Sequence, residues 1–392
     1  MPNNKKIAVV MELEWPYKRH YEVFAGIRKY AEERGGWDLD LGNFPQLEIR
    51  QGTRYDGIIG RISPECYEVA CSAKIPVVNV RVDSPISSIA PGVHPDSKMA
   101  GRMAAEHLIS IGFKRLAHFG FRKSLSSKLH YEGMLEVCKE HGCKCKRYMV
   151  DSSFREQESS WKNFVQYVNK ALASWQPPIG VGFSSDELGH AVITICKARG
   201  WSIPDQMAGI GVGNEVMICN SSNPTLSSID MGHRNCGYEA ARLLDKLMSG
   251  RKTGDELVTR IAPKEVVLRR SSDAYAVEDP ALVRALTFMA ENSHIKISVT
   301  DIAKAAGLGR QTLEHRFRKQ LNRTVNDELI RLRISKMKRL LVETEQTIGE
   351  ISDQVGFGTT ANMHVMFKRH TKMTPIAYRE KHNPKLNRDI SA

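Results

Sequence analysis

The chain has 392 residues, of which 41% are hydrophobic and 26% charged, and its formal net charge is +13. This length predicts two or three domains, and the composition is typical of a globular protein. The sequence contains no apolar run of 18 residues and no signal-peptide pattern, so we expect a cytoplasmic protein that does not enter a membrane. The eight cysteines are scattered, and Cys143 and Cys145 lack the second pair that a zinc site needs, so we expect no disulfide, metal or other cofactor.

Apolar strands and amphipathic helices alternate over the first 270 residues. The clearest predicted elements, in chain order, are a strand at 6–11, a helix at 21–34, strands at 55–60 and 76–80, a helix at 101–111 and a strand at 114–120. Strands this apolar, separated by helices, indicate parallel sheets with helices on both faces. We therefore predict an α/β fold for this region.

The loops after these strands form the candidate ligand site. In parallel sheets, ligands collect at the carboxyl ends of the strands, which points to the loops 12–20, 81–85, 121–130, 184–187 and 211–215. Because these loops come from two successive α/β blocks, we expect a cleft between two lobes that close on a small molecule. The residues expected to bind that effector are Glu12, Trp15, Asp83, His130, Asp186 and Asn214. For Trp15 simple packing, and for Asp186 a helix N-cap, are the alternatives.

A polar connector at 271–280 separates the first region from residues 281–392, which carry one pattern twice. The segment VTDIAKAAGLGRQTLEHRFRK at 299–319 recurs as IGEISDQVGFGTTANMHVMFKR at 348–369. Each copy has apolar residues at helical spacing, a break that contains glycine, and a second amphipathic stretch that ends in phenylalanine and two basic residues. The sequence therefore predicts two helix-turn-helix units in tandem.

The basic excess is concentrated beside this repeat. Residues 281–392 contain 20 Lys and Arg against 11 Asp and Glu, a net charge of +9, which leaves +4 for the first 280 residues. A positive surface of this kind neutralises phosphates, so the expected partner is double-stranded operator DNA. The alternative is a pair of helical hairpins with a packing role only.

Polar side chains on the second helix of each unit are the candidates for DNA contact. The residues expected to read base edges are Arg310, Gln311, Glu314 and His315 in the first unit, and Thr360, Asn362 and His364 in the second. The residues expected to contact the phosphate backbone are Arg318, Lys319, Lys368 and Arg369. Because the second set lacks arginine among its base readers, we expect the first unit to specify more bases.

Residues 348–379 resemble the signature of AraC-type transcription regulators, including Thr374-Pro375 and Tyr378-Arg379, and residues 333–341 resemble the long linker helix of that family. The sequence departs from the family pattern at three positions: Ala361 replaces a common serine, Met363 an aromatic residue, and Lys372 the glycine before Thr-Pro. Lys372 would have to adopt a turn conformation that glycine adopts easily.

Residues 96–115, 183–188 and 224–229 resemble segments of LacI-type, periplasmic-binding-protein-like sensors. Together with the C-terminal match, this order resembles that of bacterial xylose-operon regulators. The resemblance implies a two-lobed α/β periplasmic-binding-protein-like sensor (1–270) followed by an all-α domain with two helix-turn-helix motifs (281–392). It also implies a homodimeric activator that responds to xylose or a related sugar and acts with RNA polymerase.

Two departures weaken the assignment of xylose. Sensors of this class often bind sugar hydroxyls with an arginine and an aspartate, and His130 and Gly213 stand at those places. A regulator that responds to a non-sugar metabolite is therefore an alternative. An enzyme domain fused to a DNA-binding tail is another, although the sequence lacks G-x-S-x-G, P-loop and H-E-x-x-H motifs, and we expect no enzyme activity. A transport-type binding protein is the third alternative.

Overall fold

The computed structural model describes residues 4–13, 18–42, 44–250, 257–273, 279–321, 323–344 and 346–382. The strands within these residues are β1 Lys5–Val10, β2 Trp37–Asp40, β3 Gly57–Gly60, β4 Val77–Asn79, β5 Gly92–Pro95, β6 Arg115–Phe121, β7 Lys144–Val150, β8 Ile179–Phe183, β9 Met207–Val212, β10 Ser227–Asp230, β11 Val258–Ile261 and β12 Glu265–Val267.

The helices within the same residues follow the strands closely in the first part of the chain and succeed one another in the last. They are α1 Lys18–Arg34, α2 Pro45–Arg50, α3 Pro64–Ser72, α4 Ser97–Ser110, α5 Leu125–Glu140, α6 Glu158–Ala173, α7 Asp186–Ala198, α8 Val216–Ser221, α9 His233–Met248, α10 Pro280–Asn292, α11 Val299–Ala306, α12 Arg310–Leu321, α13 Val325–Glu343, α14 Ile348–Gln354, α15 Thr360–Thr371 and α16 Pro375–His382. None of these helices is both long and apolar enough to cross a membrane.

The first lobe is built on a parallel sheet with the strand order β11-β5-β4-β3-β1-β2. Helices α1 and α9 cover one face, and their backbones lie in direct contact. A Cβ atom at Gly26 would lie 2.0 Å from the Arg234 carbonyl oxygen, and one at Gly237 would lie 1.9 Å from that of Val23. Larger residues at these two positions would therefore separate the helices and open the core that they cover.

The second lobe is built on a sheet with the order β12-β10-β9-β8-β6-β7. Its strands are parallel except β12, which runs antiparallel to β10. The sequence predicted parallel sheets, and β12 departs from that prediction for a topological reason. The chain passes from β11 in the first lobe to β12 with only three residues between them. To run parallel to β10, β12 would need a longer crossover connection than these three residues allow.

The helical region, residues 279–382, contains two small cores that share the long helix α13. The first core includes Phe317 from α12 and Leu329 from α13. The second includes Phe367 from α15 and Met337 and Leu341 from α13. Each core belongs to one helix-turn-helix unit, α11 with α12 and α14 with α15, so the tandem repeat predicted from the sequence is confirmed.

Local sequence explains where these short helices begin and turn. Helices α11 and α14 both start in a capping box. The side chain of Ser298 accepts from the Asp301 amide and the Asp301 side chain accepts from the Ser298 amide, and Thr347 and Glu350 do the same in α14. The breaks between the helices contain Gly307 and Gly356, each with a φ of +70°. Residues with a Cβ atom rarely adopt this conformation, which accounts for the glycine in each copy of the repeat.

Candidate functional site

The carboxyl ends of the parallel strands of both lobes face one cleft. Three crossings join the lobes, between β5 and α4, between β10 and α9, and between β11 and β12. The crossings are bonded to one another, since the Asp96 amide donates to the Ile261 carbonyl at 2.8 Å and the Lys264 amide to the Asp230 carbonyl at 2.8 Å. Three short crossing segments that are bonded to one another can act as a hinge about which the two lobes rotate.

One contact across the cleft is made by Glu215 of the second lobe. Its carboxylate accepts hydrogen bonds from the amides of Lys18 at 2.7 Å and Arg19 at 3.4 Å, at the start of α1 in the first lobe. The Lys18 ammonium group lies 3.6 Å from Asp230 and donates to the Asn214 carbonyl at 3.4 Å. A carboxylate at a helix N-terminus is stabilised by the helix dipole, so this contact favours the closed lobes.

In the second contact across the cleft, the carboxylate belongs to the first lobe and the helix N-terminus to the second. Asp83 of the first lobe accepts hydrogen bonds from the Ser126 amide at 2.9 Å and the Ser126 hydroxyl at 2.8 Å, in the first turn of α5 in the second lobe. The Ser124 hydroxyl adds a bond at 3.2 Å. Each lobe thus places a carboxylate at a helix N-terminus of the other. We call Asp83 and Glu215 the cross-lobe carboxylates.

Asp186 and Asn214 are buried and bonded within the second lobe. The Asp186 carboxylate accepts from the Ser228 hydroxyl at 2.6 Å and from the Glu215 amide at 2.8 Å. Burial raises the pKa of Asp186 to about 6. The Asn214 side-chain oxygen accepts from Arg269 at 2.8 Å. In this conformation both side chains fix the loop that carries Glu215, and the N-cap of α7 is Ser185 rather than Asp186.

Gly213 has a φ of +122°, and a Cβ atom there would lie 3.3 Å from the Asp186 carboxylate. An aspartate at this position would therefore combine backbone strain with repulsion between two carboxylates. The local geometry of this loop therefore favours glycine at position 213.

His130, which we expected at the effector, lies on the buried face of α5. It is 2% exposed and packs against His118 with a distance of 5.2 Å between ring centroids. Neither nitrogen of the two rings has a hydrogen-bond partner among the described residues, and burial lowers the pKa of His130 to about 4. In this arrangement the imidazole does not face the cleft, so the structure gives no support to an effector role for His130.

Glu12 lies at the carboxyl end of β1, beside Arg61, which is not among the residues predicted from the sequence. Its carboxylate is 3.7 Å from Nε of Arg61, the residue that follows β3. Arg61 also donates to Nε2 of His20 at 2.8 Å, while Nδ1 of His20 lies 2.8 Å from the Glu12 carbonyl oxygen. Burial lowers the pKa of His20, which favours the neutral ring that this pattern requires.

The sequence could have indicated Arg61 as a site residue, because it directly follows the apolar strand Ile58-Ile59-Gly60, and ligands bind at such strand ends. Trp15 lies outside the described residues.

On α12 the polar side chains expected to contact DNA form an exposed face. Arg310, Gln311, His315, Arg318 and Lys319 are exposed. Glu314 is only half-exposed, and its carboxylate faces the start of α13, where the Val325 amide donates to it at 3.4 Å. The first unit therefore presents all five basic and amide side chains in an open position, with Glu314 turned towards its neighbour.

On α15 two of the expected base readers are bonded within the protein. The Asn362 side-chain amide donates to the Phe357 carbonyl at 3.0 Å, and the Thr360 hydroxyl accepts from Ser352 at 3.1 Å. His364 is half-buried, while Lys368 and Arg369 are exposed. Thr360 and Asn362 are both exposed, but each has one hydrogen-bonding group engaged within its own unit.

The helical region rests on the second lobe. Arg323, before α13, donates to the carbonyl of Ser110 at the end of α4. Lys338 lies 3.9 Å from Glu265 of β12. Arg323 is also paired at 2.9 Å with Glu328, which is fully buried. A cavity of about 760 Å³ lies beside these contacts, between α4 and α13, so the helical region touches an element that directly follows a hinge crossing.

Comparison with known proteins identifies both regions. A model of the periplasmic binding protein-like domain matches residues 105–272, and a model of a helix-turn-helix domain matches residues 302–381. The xylose operon regulatory protein of Escherichia coli strain K12 is 24% identical over 386 residues, which cover 96% of this chain and 97% of that protein. The protein of the same name from Haemophilus influenzae is 24% identical over 384 residues, which cover 95% of this chain and 98% of that protein.

Solved structures agree with this architecture. A structure described as a xylose-binding transcription activator aligns with a TM-score of 0.64 and 22% identity, and the alignment covers 98% of this chain and 100% of that one. The fold of the sensor and the order of the two regions are thus shared. The chain is a DNA-binding transcription regulator that joins a periplasmic binding protein-like sensor to an AraC-type helix-turn-helix domain.

Proposed function

We propose that this regulator is a cytoplasmic, homodimeric activator of a sugar catabolic operon, that its effector is xylose or a related pentose, and that it recruits RNA polymerase. The similarity to two xylose operon regulatory proteins over more than nine-tenths of the chain carries the proposal. The proposed functional units are the sensor at 1–270, a linker at 271–280 and the DNA-binding domain at 281–392. The reported relatives are transcription regulators, so an enzymatic role has no support.

The cleft between the lobes has the chemistry to bind a polyhydroxylated molecule. Carboxylates and a guanidinium group bind hydroxyls through charge-assisted hydrogen bonds, and Glu12, Arg61 and the cross-lobe carboxylates Asp83 and Glu215 provide these groups at its edge. In the structure, the cross-lobe carboxylates bond helix N-termini. We propose that sugar hydroxyls compete for them, so that effector binding changes the angle between the lobes.

The helical region has the dimensions and charge to contact successive turns of a duplex. A helix of 19 residues such as α13 spans about 28 Å, close to the roughly 34 Å that separate neighbouring major-groove faces. We propose that Gln311 and His315 of α12 contact base edges, and that Arg318, Lys319, Lys368 and Arg369 bind phosphates.

A non-sugar effector is the second candidate, and Gly213 supports it because it offers no side chain to a sugar hydroxyl at this strand end. Thermal unfolding of the full chain distinguishes the two, since a ligand of the folded state raises the melting temperature. Xylose, other pentoses, hexoses, sugar acids and sugar phosphates are added at millimolar concentration. A shift with a neutral pentose supports the proposal. A shift with sugar acids or phosphates alone, or no shift with the whole panel, contradicts the pentose assignment.

A further inference from the structure

The second recognition helix, α15, carries an apolar strip on its exposed face. Val365 is 65% exposed, although its neighbours Met363 and Phe367 are buried in the second core of the helical region. Ala361, one helical turn earlier, is also exposed. Residues four apart lie on the same face of a helix, so Ala361 and Val365 form one continuous apolar strip.

The tandem repeat shows where on a recognition helix this strip lies. Helices α12 and α15 both have 12 residues and begin 50 residues apart, so Ala361 is equivalent to Gln311 and Val365 to His315. Gln311 and His315 are both exposed. The two units thus present different chemistry at the same two positions, an amide and an imidazole in one and methyl groups in the other.

The surroundings of the strip favour nucleic acid over an apolar protein partner. Lys368 and Arg369, within the next turn of the helix, are exposed and basic, as are Arg318 and Lys319 at the equivalent places of α12. Such a pair binds phosphates on either side of a groove that the start of the helix enters. The apolar group that a base presents in the major groove is the 5-methyl of thymine.

We propose that Ala361 and Val365 select thymine by contact with its 5-methyl group, so that the second unit specifies A·T pairs through apolar contact while the first reads base edges through hydrogen bonds. The inference rests on the proposed DNA binding. It is also consistent with the hydrogen bonds that Asn362 and Thr360 make to neighbouring residues of their own unit.

The test uses the full chain and a duplex selected from a random library by binding to it. Each thymine of the selected site is replaced in turn by deoxyuridine, which removes only the methyl group and keeps the hydrogen bonds of the base pair. At one or two positions we expect a loss of affinity of about fourfold, the effect of exposing one buried methyl group. In Val365→Ala, the ratio of thymine to deoxyuridine affinity at a sensitive position should fall towards one.

His315→Ala is the matched control, since it changes the equivalent position of the first helix. It should weaken binding and alter preference elsewhere in the site, yet keep the fourfold ratio at the positions that depend on Val365. Each ratio compares two duplexes with one protein, so a partial loss of folded protein cancels. An unchanged ratio in Val365→Ala, or a site without any methyl-sensitive thymine, overturns the inference and leaves DNA binding intact. Failure to select any duplex overturns the proposed function as well.

Discussion

Asp83→Ala is the substitution that most directly tests how the two lobes are held. In the structure Asp83 bonds the amide and the hydroxyl of Ser126 across the cleft, at 2.9 and 2.8 Å. Because Asp83 is exposed, solvent competes with these bonds, and we expect their loss to cost about 1 kcal/mol of closure free energy. At 25 °C this corresponds to an opening equilibrium that is about five times more favourable.

Amide hydrogen exchange of the full chain measures this opening without added labels. In Asp83→Ala the Ser126 amide loses its acceptor and should exchange faster whatever the lobes do. The Lys18 amide, bonded by Glu215 at the other cross-lobe contact, keeps its acceptor and should exchange about five times faster, since a rotation of the lobes breaks both contacts together. Asp205→Ala is the matched control, because Asp205 is also exposed and accepts from a serine hydroxyl at 2.7 Å, but entirely within the second lobe.

A faster exchange of the Ser126 amide while that of Lys18 keeps its parental rate would contradict a rotation of the lobes. The two contacts would then open independently, and neither would report a rotation of the lobes. Equal acceleration in Asp205→Ala would likewise show that the effect is general loosening rather than loss of a cross-lobe bond.

Further predictions concern buried groups and turns. The pKa of His130 is lowered to about 4, so its contribution to stability is present above pH 6.5 and is lost as pH falls towards 4. Between pH 7 and 5 this contribution falls by about 2 kcal/mol. Denaturant unfolding should therefore show that His130→Leu loses about 2 kcal/mol less unfolding free energy over this pH range than the parent protein does. An equal loss in the two proteins would contradict the lowered pKa of His130. Lys372→Gly should raise stability by about 1 kcal/mol, because Lys372 has a φ of +60°; a lower denaturant midpoint would contradict this. Gly356→Ala should lower stability by more than about 2 kcal/mol, since its Cβ atom would lie 2.1 Å from the Ser293 carbonyl oxygen; unchanged unfolding would show that the turn adapts.

Much of the fold follows from short-range patterns in the sequence. The apolar run at 6–11 forms β1, Lys5–Val10, and the copies of the C-terminal repeat form two helix pairs with the predicted glycine turns. Lys372 adopts the left-handed conformation that its position required. These features depend on periodicity, capping and turn chemistry, which local sequence encodes.

The candidate site was harder to predict because its contacts join distant parts of the chain. Glu215 bonds the amide of Lys18 although 197 residues separate them, and Asp83 bonds Ser126 across 43 residues. No local pattern specifies which helix N-terminus a strand-end carboxylate will meet, because that depends on how the lobes are placed about the hinge.

His130 illustrates a different cause. Ser127, His130, Met134 and Val137 are all buried, and their spacing is that of one helix face. The sequence therefore held evidence that His130 lies in the core, and its position near a strand end was the weaker signal. Asn362 also makes local contacts. Its backbone amide donates to the Thr359 hydroxyl at the N-cap of α15, and its side-chain amide donates to the Phe357 carbonyl.

We expect a sugar in the cleft to change the affinity of the helical region for DNA. Fluorescence anisotropy of a labelled selected duplex, titrated with the full chain at one fixed salt concentration, measures this affinity with and without the sugar that raises the melting temperature. We predict a change of at least about fivefold, the lower end of typical coupling between two sites. A sugar that stabilises the protein while the DNA affinity stays the same would contradict it.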